Sequence, residues 1–347
     1  MRIDALETPS VLINLDRMEA NIRRMQAHCD SLGLKFRPHI KTHKIPAIAR
    51  MQMDAGAVGL ACQKVSEAQV FAEAGFDDIM IPYNIVGASK AARLADLALY
   101  NRIAVSADSL PVIQGLSEAA AAAGVTLRVL VELETEIQRA GVPAERVVEL
   151  AKRIDGDDHL HFAGLVVYPS NPSIRPALQE ALSRLHDAGI GVDMVSGGGT
   201  GAAIHAADVL ELTEIRVGTY VFNDWRTLAS GWCALDDCAM TITATVVSRP
   251  SNDRLILDSG SKTLNAESHD GQYGLILDYP DARLYKLNEE HGYVDVSACE
   301  VAPEIGERVR ILPVHTCVVT NLHNTIYGVR GDQVEVEWTV AARGLVW

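Results

Sequence analysis

No stretch of this 347-residue chain stays apolar for long enough to cross a membrane. Its opening, Met1-Arg2-Ile3-Asp4-Ala5-Leu6-Glu7-Thr8, puts acids where the apolar centre of a secretion signal belongs. Positive charge is scarce: 31 Lys and Arg face 45 Asp and Glu, for a net charge of −14 and a pI near 5.2. That balance argues against a nucleic-acid binder, which shows a basic face. The six cysteines (Cys29, Cys62, Cys233, Cys238, Cys299, Cys317) include no CxxC spacing. Without a secretion signal they read as reduced thiols. Internal repeats and low-complexity linkers are missing too. These absences together lead to the expectation of a cytoplasmic protein. What remains, 48% hydrophobic and 22% charged residues at mean hydropathy +0.08, is globular material for one large core or two smaller ones.

Short apolar runs then alternate with helical periodicity. Val11 to Leu15 reads as a strand, followed by a helix that Asp16 caps with Glu19 in capping-box position. Strands follow at 33–36, 58–62, 78–82, 102–105, 126–132, 162–168, 192–196 and 213–217, with helices between them. Pro46 opens one helix and Gly56 stops it. Eight such units from residue 33 onward fit a (β/α)8 TIM barrel; a doubly wound open sheet is the structural alternative. From about Leu235 the period changes to two, as in Met240 to Val247, and no long helix remains. The expected architecture is α/β: a barrel over 10–234, and an all-β domain made of 235–347 with the N-terminal segment 1–9.

The chemistry concentrates at strand ends, where a barrel carries its function. Arg37-Pro38-His39-Ile40-Lys41-Thr42-His43-Lys44 follows the first barrel strand, and Pro38, lacking an N–H, ends it. Cations this close depress one another's pKa, and burial adds to the effect. A neutral lysine amine suits Schiff-base chemistry; the plain alternatives are a phosphate-gripping loop or a solvated turn. Ser196-Gly197-Gly198-Gly199-Thr200-Gly201 is neither a Walker A loop nor a clean GxGxxG, yet its backbone and Thr200 hydroxyl can cradle a phosphate. Gly218-Thr219-Tyr220 ends the eighth strand, and phosphates often bind after strands seven and eight of such barrels. Arg139 either faces a cofactor ring or pairs with Glu132, Glu134 and Glu136. His315 and Cys317, two apart in an expected strand, share a face and suit zinc, or else are ordinary core residues.

Together these motifs resemble the D-threonine aldolase and D-serine dehydratase family, fold-type III pyridoxal-phosphate enzymes with an alanine-racemase-like barrel. The matching features run from Pro9 to Gly344. The resemblance implies that Lys41 holds pyridoxal 5'-phosphate, with His39 and His43 beside it as candidate catalytic groups. It implies a cofactor site of Arg139, Tyr168, Ser196, Gly199, Thr200, Gly218, Thr219 and Tyr220. His315 and Cys317 would bind a divalent metal (zinc, manganese or magnesium), and Ala342-Arg343-Gly344 is similar to the C-terminal signature. The implied substrate is a β-hydroxy-D-amino acid, the implied assembly a homodimer, with no nucleic-acid or membrane partner. Two departures stand out. Pro169-Ser170-Asn171-Pro172 replaces the family's Gly-His after the tyrosine, and His-x-Cys resembles the dehydratase branch, where aldolases more often show His-x-Asp. The implied reaction is retro-aldol cleavage of D-threonine type; the alternative is a D-serine or 3-hydroxy-D-aspartate dehydratase. A racemase or a pyridoxal-phosphate carrier follows further behind.

Overall fold

Residues 1–347 are all described by the structure, a computed structural model. β1 (Ser10–Asn14) and α1 (Leu15–Ser31) come first. The helix starts one residue before the expected cap, so Asn14 does the capping: its side chain accepts the Arg17 N–H at 2.9 Å. Asp16 and Glu19 pair with Arg330 instead.

Eight barrel strands follow: β2 (Lys35–Phe36), β3 (Leu60–Ala61), β4 (Asp78–Ile81) and β5 (Arg102–Ala107), then β6 (Leu127–Leu133), β7 (Leu160–Val167), β8 (Met194–Gly198) and β9 (Glu214–Arg216). Between them run α2 (Pro46–Asp54), α3 (Val65–Glu73), α4 (Ala88–Ala98), α5 (Leu110–Ala123), α6 (Val147–Asp155), α7 (Arg175–Asp187) and α8 (Thr200–Ile204). The sheet order is β2-β9-β8-β7-β6-β5-β4-β3, parallel throughout. A parallel bridge between His39 and Ala61, and a 2.9 Å bond from the Val58 N–H to the Phe36 carbonyl, join the first strand to the last. The sheet therefore closes, and the open doubly wound alternative falls. Met80, Ala104, Leu130, Ala163, Val166 and Met194 pack as an apolar cluster, side chains of neighbouring strands filling a barrel from within.

α9 (Trp225–Ala229) precedes the second sheet. Its strands are β10 (Met240–Ser251), β11 (Arg254–Leu257), β12 (Gly274–Ile276), β13 (Arg283–Leu287), β14 (Gly292–Asp295), β15 (Arg308–Pro313), β16 (Thr325–Arg330) and β17 (Gln333–Thr339). Only α10 (Ser261–Leu264) and α11 (Thr316–Leu322) interrupt them. β10, β11, β14, β13, β12 and β15 pair in a ring, since β10 bonds both β15 and β11. β1, β16 and β17 extend this sheet from the first half of β10. β1 thus belongs to the nine-stranded sheet, although its sequence position lies inside the expected barrel segment. An apolar run such as Val11-Leu12-Ile13 specifies burial but not a partner, and here Thr241, Ile242 and Met240 supply the ladder.

The chain divides into two compact units. One comprises Met1–Arg24, Thr42–Ile45 and Thr219–Gly344; the other comprises Met25–Lys41, Pro46–Gly218 and Leu345–Trp347. No helix is long and apolar enough to cross a membrane.

Candidate active site

In the barrel unit, a buried polar network links the residue after β2 to the first residues of β4 and β9, the middle of β8 and the last residue of β9. Arg37 is 3% exposed and bonds Glu214 at 2.9 Å and Asp78 at 2.7 Å. Burial opposes its charge, but the two carboxylates outweigh that and raise its pKa. Its positive charge is thereby balanced by two carboxylates. Ser196 donates to Glu214 at 2.7 Å and accepts from Arg216 at 2.5 Å. Ser196, expected among the cofactor groups, spends its hydroxyl inside this network. Arg216 also donates to the Val167 carbonyl at 3.1 Å. Burial pulls the Arg216 pKa down to about 10, against the pull of Glu214 and Glu132. The same burial raises Glu132, while Arg139 and Arg216 oppose the rise.

Lys41 is half-buried and forms no ion pair. Its backbone N–H donates to His39 Nδ1 at 3.4 Å. Accepting at Nδ1 places the ring proton on Nε2, which donates to Gln63 at 3.1 Å. Arg139 lies with its guanidinium 4.4 Å from the Tyr168 ring centroid, a cation–π contact, and 3.9 Å from Glu132. Of the glutamates named as its alternative partners, Glu132 is the one within reach, and the ring beside Arg139 is that of Tyr168.

The glycine turn is held from behind. Ser170 accepts the Gly198 N–H at 3.1 Å, and its own N–H reaches the Gly198 carbonyl at 3.0 Å. The loop that departs from the family pattern therefore braces this turn. A Cβ at Gly198 would come within 3.1 Å of Arg216 and 3.2 Å of Tyr168, and Gly199 has φ +114°, where a side chain is strained. Glycine keeps the space beside Tyr168 and Arg216 open. A cavity of about 580 Å³ in the same unit is lined by Gln63, Lys64, Asp108, Glu132, Arg139 and Trp347, among others.

The other unit holds the second cluster. His315 and Cys317 do not lie in a strand: β15 ends at Pro313, His315 caps α11, and Cys317 falls in its first turn. The ring and thiol still meet in a hydrogen bond, because a cap residue folds back over the turn it opens. Burial opposes a charged His315, yet the bond and charge of Cys317, with Glu267 and Asp224, outweigh it and raise the ring to about 9. Glu267 meets His315 Nδ1 at 3.0 Å and Arg226 at 2.8 Å. Asp224 accepts the Thr316 N–H at 3.2 Å and the Thr227 N–H at 3.0 Å. Cys317 lies 3.2 Å from the hydroxyl of Thr42, the residue after Lys41, and 3.8 Å from that of Thr219, the residue after Gly218. His43 is fully buried and accepts the Ile45 N–H at 3.1 Å, a turn-forming task. Tyr220 is 3% exposed. Lys44 reaches Asn321 at 2.7 Å, and Asn321 also accepts the Gly344 N–H at 2.9 Å, tying the octet's end to the C-terminal signature.

Sequence reasoning missed Glu214, Arg216, Asp224 and Glu267 as working residues. The first two left a signal, charges at alternate positions in an otherwise buried strand. Glu267 left none, being 48 residues from the histidine it orients.

Residues 13–224 match the alanine racemase N-terminal domain, and residues 239–329 a serine dehydratase domain. Over 98% of its length, the chain is 36% identical to a D-threonine aldolase from an Arthrobacter species, covering 93% of that protein. It is 31% identical to the D-threo-3-hydroxyaspartate dehydratase of a Delftia species, over 90% of this chain and 91% of the other. The crystal structure of D-threonine aldolase from Filomicrobium marinum superposes with a TM-score of 0.92 at 33% identity, covering 100% of this chain and 98% of that one. With both sheets, the lysine octet and the His-x-Cys pair in place, the chain belongs to the D-threonine aldolase and D-serine dehydratase family, the fold-type III pyridoxal-phosphate enzymes built on an alanine racemase N-terminal domain.

Proposed function

We infer that this chain is a pyridoxal-phosphate-dependent lyase of β-hydroxy-D-amino acids that works as a D-threonine aldolase does, cleaving its substrate to glycine and an aldehyde. The observation that carries this is Lys41, a half-buried amine without an ion pair in a chain 36% identical to such an aldolase.

The residues fit the cofactor. The turn at Gly198 and Gly199 leaves room that a Cβ would fill, beside an aromatic ring and two guanidinium groups. Lys41 would hold the cofactor covalently through its amine, and Arg139 and Tyr168 would flank its ring. Gly199, Thr200, Gly218, Thr219 and Tyr220 would receive its phosphate. When bound, it supplies an electron sink for the pair left as a bond to Cα breaks.

The chain's own groups handle position and protons. Arg37, Glu214, Ser196 and Arg216 tie β2, β8 and β9 together, so the site is preorganised rather than assembled on binding. His39 is committed to Gln63 and the Lys41 N–H, and His43 to the Ile45 N–H. That leaves the Lys41 amine as the octet's group for moving a proton at Cα. His315 and Cys317 fit a divalent metal as an adjoining imidazole and thiol, with no third His, Cys, Asp or Glu to complete the set. The coordination positions left open suit a substrate oxygen, and the ion would act as a Lewis acid toward the β-hydroxyl.

One observation favours a second reading. A His-x-Cys pair resembles the dehydratase branch, and the Delftia dehydratase is 31% identical. There Lys41 would take the α-proton, hydroxide would leave Cβ, and ammonia and a 2-keto acid would result. The expected assembly is a homodimer in the cytoplasm.

The deciding experiment supplies D-threonine and pyridoxal phosphate, with and without EDTA. Glycine and acetaldehyde, lost on chelation and in Lys41→Ala, are expected. 2-Oxobutyrate with ammonia would establish the dehydratase. Neither product, from D-threonine or from 3-hydroxy-D-aspartate, would end the lyase reading.

A further inference from the structure

Two thiols outside this site lie within van der Waals reach of each other. Cys233 and Cys238 have their sulfurs 4.0 Å apart, flanking the short turn Leu235–Asp237. They differ in setting. Cys238 is buried, its sulfur near the carbonyls of Ala234 (3.8 Å) and Asp224 (4.0 Å), and the next residue, Ala239, is held in place by bonds to Asn14 and Phe222. Cys233 is part-exposed in a loop whose neighbours Gly231, Trp232 and Ala234 are exposed, and its sulfur donates to the Thr227 hydroxyl at 3.5 Å. Of the other cysteines, Cys29 and Cys62 are buried, and Cys299 and Cys317 are half-buried.

We propose that Cys233 and Cys238 form a thiol pair that low-molecular-weight disulfides oxidise to an intrachain disulfide, with Cys233 as the entry thiol. A disulfide bond is about 2 Å long, so the sulfurs need to approach by roughly 2 Å, and the exposed loop of Cys233 is the side able to move. The hydrogen bond from Cys238 lowers the Cys233 thiol below its ordinary pKa and holds Cys238 well above its own. That favours attack by Cys233, since the thiolate is the nucleophile. The Cys233 sulfur attacks one sulfur of oxidised glutathione, forming a mixed disulfide and releasing one glutathione thiol. Cys238 then gives up its proton, its sulfur attacks that of Cys233, and the second glutathione leaves. Two electrons and two protons pass from the pair to glutathione disulfide.

The bond would tie the loop after α9 to the start of β10. α9 carries Arg226, which holds Glu267 on His315, and Thr227, which bonds Asp224. The thiol pair therefore adjoins the helix that supports the His315 cluster, but the proposal does not depend on metal or on turnover.

The test exposes the full-length protein to oxidised glutathione, alkylates the remaining thiols, and sequences tryptic fragments by mass spectrometry. The fragment that starts at Thr227 is expected to lose two hydrogens and take no alkyl label, before Cys29 or Cys62 reacts. Cys238→Ser should stop at a glutathione adduct on Cys233. Cys233→Ser should leave Cys238 unmodified. The proposal fails if both thiols stay alkylatable while Cys299 and Cys317 oxidise, or if Cys233 links to another cysteine. It also fails if Cys238 takes up glutathione in Cys233→Ser. Lack of D-threonine cleavage would leave it untouched.

Discussion

Glu214 is the residue on which the barrel's polar layer depends. It accepts from Arg37 and Ser196, and Ser196 in turn accepts from Arg216, all of them buried. Removing one partner of a buried pair leaves an uncompensated charge, which costs about 3–5 kcal/mol. Glu214→Ala is therefore expected to lower the unfolding free energy read from a urea titration by that much, and Glu214→Gln, which keeps an acceptor, by less. His323 gives a pH test at the same scale. Burial depresses its pKa, and its Nε2–H donates to the Thr263 carbonyl at 3.1 Å. The folded ring binds fewer protons than the unfolded one, so its contribution to stability is intact above the unfolded value of about 6.5 and falls as pH drops below it. In His323→Gln, the difference in urea midpoint between about pH 8 and about pH 5.5 should shrink. An unchanged difference would mean that other groups carry the acid sensitivity.

Among the elements, β7 is the most constrained. Its register against β6 shifts between Phe162 and Gly164, which is where Gly164 takes φ +127°. A Cβ there would lie 1.9 Å from the Met194 carbonyl oxygen of β8. That atom is ladder backbone and cannot step aside, so Gly164→Ala should cost about 3 kcal/mol or more. Thermal unfolding followed by circular dichroism would read it; a shift of only a degree or two would show that β8 gives way. The elements also show where pattern reading reached its limit. Barrel strands and helices fell within a few residues of expectation because each is an apolar run bounded by Gly, Pro or a charge. The strands at 274–276, 283–287, 292–295 and 325–330 gave no signal, being short and only half-apolar. His315-Thr316-Cys317 looked like strand because β15 leads into it, yet the chain turns at Val314 into α11.

For the whole molecule the interleaving of segments matters most. The β unit draws on residues 1–24 and 42–45 as well as 219–344. A fragment cut at residue 235, where the sequence changes character, lacks β1 and leaves β10 and β16 with bare edges. Such edges pair with other chains. The fragment 235–347 is expected to aggregate on size-exclusion chromatography where the full chain does not, and a monodisperse fragment would show that β1 is dispensable.

Much was determined by sequence alone. The alternation of βα units, the change of period near residue 235, the lysine octet, the glycine turn and the His-x-Cys pair are local patterns, and local patterns are set by neighbours in the chain. Closure of the barrel, the partners of β1, the task of Ser196, and the meeting of Glu267 with His315 were decided only by tertiary structure. Each depends on which buried groups find a hydrogen-bond or charge partner far along the chain, a pairing of surfaces that periodicity does not encode. The two thiols at 4.0 Å belong to both kinds: five residues separate them in sequence, and a short turn with one buried wall brings them together.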